Sequence, residues 1–255
     1  MAGMIIGSIA GQAPYSRPVE SGDVIAQAHR NYVGSYRKLA EHLPGGEVRE
    51  SGSLVAFVTG LRMALFNGCV IIGPVPADAV RDALGWVNGH GLPLQVAIVE
   101  ELLPGLEEVL GASGLLRTAT WPGMILDPVP PPPAPAPAVS VEPGVRGGLL
   151  NYLPPSMLDD PEVAVFTALL EGRAAGTALA IRTGEVAGVY GVGTLPDARR
   201  RGVGTAATWA AIAAGRDWGC APIVLQATEM GVPMYEGMGF RTVVRYAIFR
   251  APPRA

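Results

Sequence analysis

Residues 186–206 read VAGVYGVGTLPDARRRGVGTA, and three kinds of local structure follow one another within them. The alternating apolar run at the start predicts a strand. A short loop with Pro196 and three consecutive arginines, Arg199, Arg200 and Arg201, comes next. Gly202-Val203-Gly204 then leads directly into an alanine-rich run with helical character. A strand, a glycine-bearing turn and a helix start, in that order, make an anion site. The first N–H groups of a helix have no internal acceptor and carry the positive end of its dipole. Glycines let a phosphate approach that backbone without a side chain in the way.

Downstream, Ile223 to Gln226 reads as a further strand and is followed by Met234-Tyr235-Glu236-Gly237-Met238-Gly239-Phe240. The spacing Arg199-x-x-Gly202-x-Gly204 resembles motif A of the GCN5-related N-acetyltransferases (GNAT), R/Q-x-x-G-x-G/A. The run from Tyr235 to Phe240 is similar to their motif B, Y-x-x-x-G-F. The resemblance extends over Glu162 to Arg250, with both motifs in the family's order. It implies acetyl-CoA as acyl donor, its pyrophosphate on the backbone amides of Arg200, Arg201, Gly202, Val203, Gly204 and Thr205, with the side chains of Arg199, Arg200 and Arg201 adding charge-assisted contacts. It also implies that the pantetheine arm runs along the strand edge at Val192, Gly193 and Thr194, with an N–H near Val192 facing the thioester carbonyl. Tyr235 would be the general acid, since a phenol is still protonated at neutral pH.

Some of the family pattern is missing. The asparagine many members carry before the motif B helix is absent from Ala227-Thr228-Glu229-Met230-Gly231, which leaves one cofactor contact open. The general base is also open, among Glu171, Glu185, Glu229 and an ordered water. Gly202 to Ala207 formally fits the dinucleotide pattern G-x-G-x-x-A, with Glu229 at the distance of a ribose-binding acid. A nicotinamide-dependent oxidoreductase is therefore weighed as well. Three antiparallel-looking strands ahead of the loop argue against it.

Working toward the N-terminus, Val163–Glu171, Ala174–Arg182 and Val186–Thr194 are three strands joined by tight glycine turns. Gly204 to Trp218 is a helix, Pro222 to Gln226 a strand, Val232 to Met238 a helix and Arg241 to Phe249 a strand. The first half has nearly the same order. A helix over Gly22–His42, with Asp23 as cap, precedes strands at Glu47–Glu50, Leu54–Thr59 and Arg62–Ile72, the last two joined by a hairpin at Gly60-Leu61. Helix Pro76–His90, strand Pro93–Val99, helix Leu103–Gly111 and strand Leu115–Leu126, interrupted at Pro122, follow. This order predicts either a diverged internal repeat or two α+β domains of similar element lengths. Where the anion loop should stand, the first half has Ile72-Gly73-Pro74-Val75-Pro76-Ala77-Asp78, whose prolines remove N–H groups. Between the halves lies DPVPPPPAPAPA, residues 127–138, an extended spacer reaching on the order of 30 Å.

The expected fold is thus α+β, with tandem GNAT-like mixed sheets flanked by helices and the acetyl-CoA loop in the second. The divisions are 1–127, a proline-rich linker at 128–138, and 139–255 as the acetyltransferase domain. The stretch Val139–Pro161, with Pro143, Pro154 and Pro155, has little room for the helices that usually line the acceptor pocket. The first half is expected to supply that wall. Trp209 and Cys220 read as core, and His29, His42 and His90 as helix surface.

Composition restricts the function classes. Of 255 residues 49% are apolar, and the net charge is −3 with Lys38 the one lysine, which gives nucleic acid or anionic membrane no electrostatic footing. The N-terminal MAGMIIGSIAG lacks a basic region and does not read as a signal peptide. With no apolar run of membrane-spanning length, the expected location is the cytoplasm. Two cysteines are too few for a disulfide scaffold or a cysteine zinc site, and no metal is expected. The expected reaction is direct acetyl transfer from acetyl-CoA to a primary amine of a small molecule or peptide. The alternative is a CoA-binding module without catalysis; a homodimer is left open.

Overall fold

The computed structural model describes residues 21–252, so the reading of MAGMIIGSIAG lies outside the described residues. In chain order the first half contains α1 (Ser21–His42), β1 (Glu47–Ser51), β2 (Leu54–Val58), β3 (Gly68–Ile71), α2 (Ala77–Gly89), β4 (Gln95–Val99), α3 (Glu107–Ala112) and β5 (Leu116–Leu126). The second half contains β6 (Val139–Pro143), α4 (Pro155–Leu158), β7 (Val163–Leu170), β8 (Arg173–Thr183), β9 (Val186–Thr194), α5 (Val203–Asp217), β10 (Ile223–Gln226), α6 (Val232–Gly237) and β11 (Arg241–Arg250).

The two expected sheets are fused into one mixed sheet of eleven strands, ordered β1-β2-β3-β4-β11-β5-β10-β9-β8-β7-β6. The final strand of each half is built into the other half. β11 pairs with β4, Tyr246 opposite Val99, while β5 pairs with β10, Leu126 opposite Ile223. β5 and β11 pair with each other at the centre. The parallel pairs β3–β4 and β9–β10 occupy equivalent places on either side, so the strand order has a pseudo-twofold axis between β11 and β5. The repeat reading is supported at the level of topology.

Alternating side chains divide the sheet into two faces, as the period of two requires. Leu54, Ala56 and Val58 of β2 pack with Val80 and Leu84 of α2 on the outer face. On that face Ala178 and Ala180 of β8 meet Ala211 and Ile212 of α5. Val55 and Phe57 of β2, Leu179 and Ile181 of β8, and Tyr246 of β11 turn inward onto α1. The sheet therefore curves around α1, whose residues Asn31 to Tyr36 are all buried. Tyr36 stacks on Phe57 with centroids 4.1 Å apart. α1 belongs to the first half by sequence but is shared by both halves in space.

Several boundaries differ from expectation. The strand expected over Arg62–Ile72 begins only at Gly68, because Asn67 is fully buried and organises the loop before it. Its side chain accepts from the Thr59 N–H and donates to the carbonyls of Leu61, Met63 and Pro93. The hairpin at Gly60-Leu61 is thereby replaced by a longer excursion with a 3₁₀ turn at Ala64–Phe66. The helix expected from Leu103 starts at Glu107, after a 3₁₀ turn at Glu100–Leu102. β5 runs through Pro122 without interruption: a β11 bulge between Thr242 and Val244 adjoins its partner Arg245, and its carbonyl still accepts from the Ala227 N–H. Asp23 lies within the first turn of α1, 3.9 Å from Arg30.

The proline-rich stretch joins the end of β5 to β6, five strand spacings away, or roughly 24 Å at ~4.8 Å per spacing. A polyproline spacer covers that distance without needing hydrogen bonds of its own. It crosses the outer face beside α5, with Val129 packed on the core beneath.

Candidate active site

β9 and β10 pair only at Ala187–Ile223 and Gly188–Val224. Beyond Gly188 the two strands part, which leaves the β9 edge from Val189 to Thr194, including Val192, Gly193 and Thr194, without a strand partner on that side. A bulge in β9 causes the separation. The β8–β9 register shifts between Thr177 and Leu179, Gly191 stands at φ +56°, and the Thr177 hydroxyl donates to the Gly191 carbonyl at 2.8 Å. A Cβ at Gly191 would lie 2.5 Å from Leu179 Cδ2, so both the conformation and the space call for glycine. In the first half the equivalent strands pair along all of β3, Gly68–Ile71, and no cleft opens.

The anion loop lies at the end of β9. Arg200 (φ 61°) and Gly202 (φ 82°) are left-handed, so successive N–H groups converge to one side. Ala206 is the first α5 residue whose N–H bonds within the helix, to the Gly202 carbonyl at 2.9 Å; the N–H groups from Arg200 to Thr205 have no backbone acceptor. Arg199, Arg200 and Arg201 are exposed. Arg201 pairs with Glu171 at 2.5 Å, while Arg199 and Arg200 have no carboxylate partner among the described residues. Val203 is buried under the loop, and a Cβ at Gly204 would lie 3.0 Å from Thr194 Oγ1 and 3.6 Å from Met234 Sδ. The N-terminus of α5, the end of β9 and α6 therefore meet around Gly204. These features fit a diphosphate ester continuing into an extended arm along the free edge of β9.

Tyr235 is on α6, 7% exposed, with its ring edge-on to Phe240 at 5.8 Å. Burial pushes its phenol up to about 12. Of the three carboxylates weighed as base, Glu171 and Glu229 stand at the loop end of the sheet. Glu171 is engaged by Arg201 and Glu229 is exposed. Glu185 is in the β8–β9 turn at the opposite end. Trp209 and Cys220 are buried as expected. His29 is not on the surface: it is 9% exposed, packs edge-on to Tyr246, and burial lowers it to about 4. His42 Nε2 lies 2.9 Å from Asp160, and the His90 ring packs on Trp86.

A cavity of about 110 Å³ begins at Gly191, on the α1 side of the sheet. Its walls are Tyr36 and Leu39 of α1, Phe66 of the 3₁₀ turn, Tyr152 ahead of α4, Leu179 of β8 and Tyr190 of β9. Tyr36, Leu39 and Phe66 of the first half thus form one wall of this cavity. A buried polar group locks it in place. Asn31 of α1 donates to the carbonyls of Ile181 and Val186 at 3.1 and 3.2 Å, and accepts from the Tyr190 hydroxyl at 2.6 Å. Sequence reasoning missed Asn31 and Tyr190. The one available signal was a polar residue set within the apolar stripe of α1. On the other side of α5, a larger groove of about 460 Å³ runs from Gly202 between Pro132–Ala136 and the helix.

A mixed sheet with parallel strands splayed at a bulge, an N–H-rich loop and a following helix is the arrangement of the GNAT fold. Residues 134–240 match the model of the Acetyltransferase (GNAT) family, and this part of the chain is a GNAT domain. Among solved structures, a GCN5-related N-acetyltransferase from Kribbella flavida is 20% identical, with 89% of this chain and 96% of that one covered and a TM-score of 0.65. One from Sphaerobacter thermophilus is 15% identical over 92% and 93%, TM-score 0.55. A tandem GNAT protein from the clavulanic acid biosynthesis pathway is 13% identical over 92% and 97%, TM-score 0.53. These likenesses establish the shared fold. A comparison with curated proteins found no match. Among the described residues no helix is long and apolar enough to cross a membrane, and no cluster of histidine, cysteine, aspartate or glutamate could hold a metal ion.

Proposed function

We propose that this protein transfers the acetyl group of acetyl-CoA directly to a primary amine. The observation that carries the reading is the run of partnerless N–H groups from Arg200 to Thr205 at the mouth of the β9–β10 cleft. The loop amides would hold the pyrophosphate, with Arg199 and Arg200 adding charge-assisted contacts. The free main chain of Val192, Gly193 and Thr194 would bind the pantetheine arm as an added strand does. The groove under Pro132–Ala136 gives the nucleotide end room beside Gly202. The thioester supplies an activated acyl group. The amine nitrogen bonds to its carbonyl carbon, the C–S bond breaks, the amine loses a proton and the sulfur gains one. An N–H near Val192 would face the carbonyl oxygen as negative charge builds there. Tyr235, protonated through neutral pH, would donate to the departing sulfur.

The rival reading is binding of CoA without catalysis, favoured by the lack of any carboxylate or histidine in the cavity lining. Thiol release in the presence of amines separates the two. The dinucleotide reading meets an obstacle in the topology, since β9 lies antiparallel to β8 and parallel only to β10. The primary test is calorimetric titration with acetyl-CoA, beside NADH. One-site binding of acetyl-CoA is expected, weakened about 100-fold or more by Gly204→Glu, whose side chain would enter the cleft between Thr194 and Met234. Binding of NADH in place of acetyl-CoA would reverse the assignment.

A further inference from the structure

We propose that the acetyl acceptor is a compact apolar primary amine carrying no second charge, held in the cavity between α1, the Ala64–Phe66 turn and the β8–β9 pair. The inference rests on the acetyl-transfer reading and identifies the substrate class of the same site. Its warrant is the wall chemistry. No aspartate, glutamate, lysine, arginine or histidine lines the cavity. Two of the four polar side chains that do are committed elsewhere: Ser35 donates to the Tyr32 carbonyl at 2.7 Å and Tyr190 to Asn31. In the neighbouring stretch of α1, Arg37 pairs with Glu50 of β1, and Lys38 and His42 with the loop before β7. Lys38 contacts Asp160 and Glu162, each at 2.9 Å, and His42 shares Asp160.

An acceptor with a carboxylate, a phosphate or a second ammonium would have to bury that charge without a partner, which protein interiors strongly disfavour. The same walls select the reactive form of the amine. Desolvation disfavours the ammonium and favours the neutral amine, the nucleophilic state. A wall without a carboxylate therefore lessens the demand on a general base. The hydroxyls of Tyr36 and Tyr152 remain to orient the nitrogen, and burial raises both phenols to about 12, keeping them as donors. A volume of about 110 Å³ suits a short branched alkyl chain or one aryl ring, given that an apolar cavity of ~150 Å³ takes up benzene. The cavity ends at Gly191, so an amine seated there faces the free edge of β9.

The test measures thiol release from acetyl-CoA by the full chain with 3-methylbutylamine, 2-phenylethylamine, spermidine, an aminoglycoside and a lysine peptide. kcat/KM for the two apolar amines is expected to exceed that for the three polar acceptors by about 100-fold or more. A polar acceptor turned over as well as the apolar pair overturns this inference and leaves acetyl transfer to amines standing. Bound acetyl-CoA with no thiol released by any of the five overturns both. In the variant Leu65→Glu, which brings a carboxylate to the half-buried rim, kcat/KM for 2-phenylethylamine should fall about 10-fold or more with unchanged acetyl-CoA affinity. Unchanged kcat/KM in this variant would mean that the amine binds elsewhere. A second variant, Leu39→Gln, gives the same reading from the α1 wall if the first does not fold.

Discussion

Asn31→Ala tests whether α1 is structurally part of the second half. Asn31 is fully buried, and all three of its hydrogen-bond partners, Ile181, Val186 and Tyr190, lie about 150 residues away in sequence. Each such bond contributes about 0.5–1.5 kcal/mol net, and more when the abandoned group stays buried and unpaired. Alanine recovers roughly 0.6 kcal/mol of helix propensity. The expected loss is therefore about 2–3 kcal/mol. With a urea m-value near 3 kcal/mol/M, the unfolding midpoint should drop by roughly 0.7–1 M at constant m. Tyr190→Phe removes only the 2.6 Å contact and should cost about 1 kcal/mol. The double variant should be less destabilised than the sum by about that amount, because both changes delete the same bond. The assay is equilibrium unfolding followed by fluorescence and far-UV circular dichroism. A midpoint shift below about 0.2 M for Asn31→Ala would refute the reasoning, since it would mean that α1 is not locked to β8 and β9 in solution.

Three further outcomes are expected. Residues 139–255 expressed alone should not give a cooperative fold, since β5 is missing between β10 and β11 and α1 from the inner face; adding 1–127 in trans should restore it. A cooperative transition from the second half alone would show that the strand exchange is dispensable. Tyr235→Phe should lower kcat about 100-fold with acetyl-CoA affinity nearly unchanged. Because burial raises that phenol to about 12, the donor form is lost only as pH rises through that value, so the wild-type rate should show no basic limb from Tyr235 below pH 11. Acid should destabilise the protein in two windows. Burial lowers His29 to about 4, so the unfolded chain takes up its proton first and stability falls from about pH 6.5 to 4. Burial alone would raise Asp160, but hydrogen bonds from Lys38, His42 and the Glu162 N–H outweigh it and hold the carboxyl at about 2, so that stabilisation is lost below about pH 4. Urea midpoints measured against pH should flatten in the upper window for His29→Leu and in the lower for Asp160→Asn.

The sequence by itself determined the glycine–arginine loop between β9 and α5, the order of most elements, and the prolines Pro74 and Pro76 that remove N–H groups from the corresponding stretch of the first half. These features are local: glycines, prolines and arginines at fixed spacings act on the backbone within a few residues. Boundaries failed where a single buried side chain reorganised the chain, as Asn67 does before β3. Only the tertiary structure decided which strands are neighbours. β5 and β11 are apolar strands whose periodicity reads the same whether each pairs within its own half or crosses to the other. The choice comes from long-range hydrogen bonding and from the burial available on both faces of the sheet. The place of α1 was decided in the same way. An apolar stripe shows that a helix must be covered, but not by what, and the inner surface of the curved sheet provides that cover for a helix whose Asn31 finds its partners only in β8 and β9. The cavity beside Gly191 follows from both choices, because its walls come from segments of both halves that meet only in the folded chain.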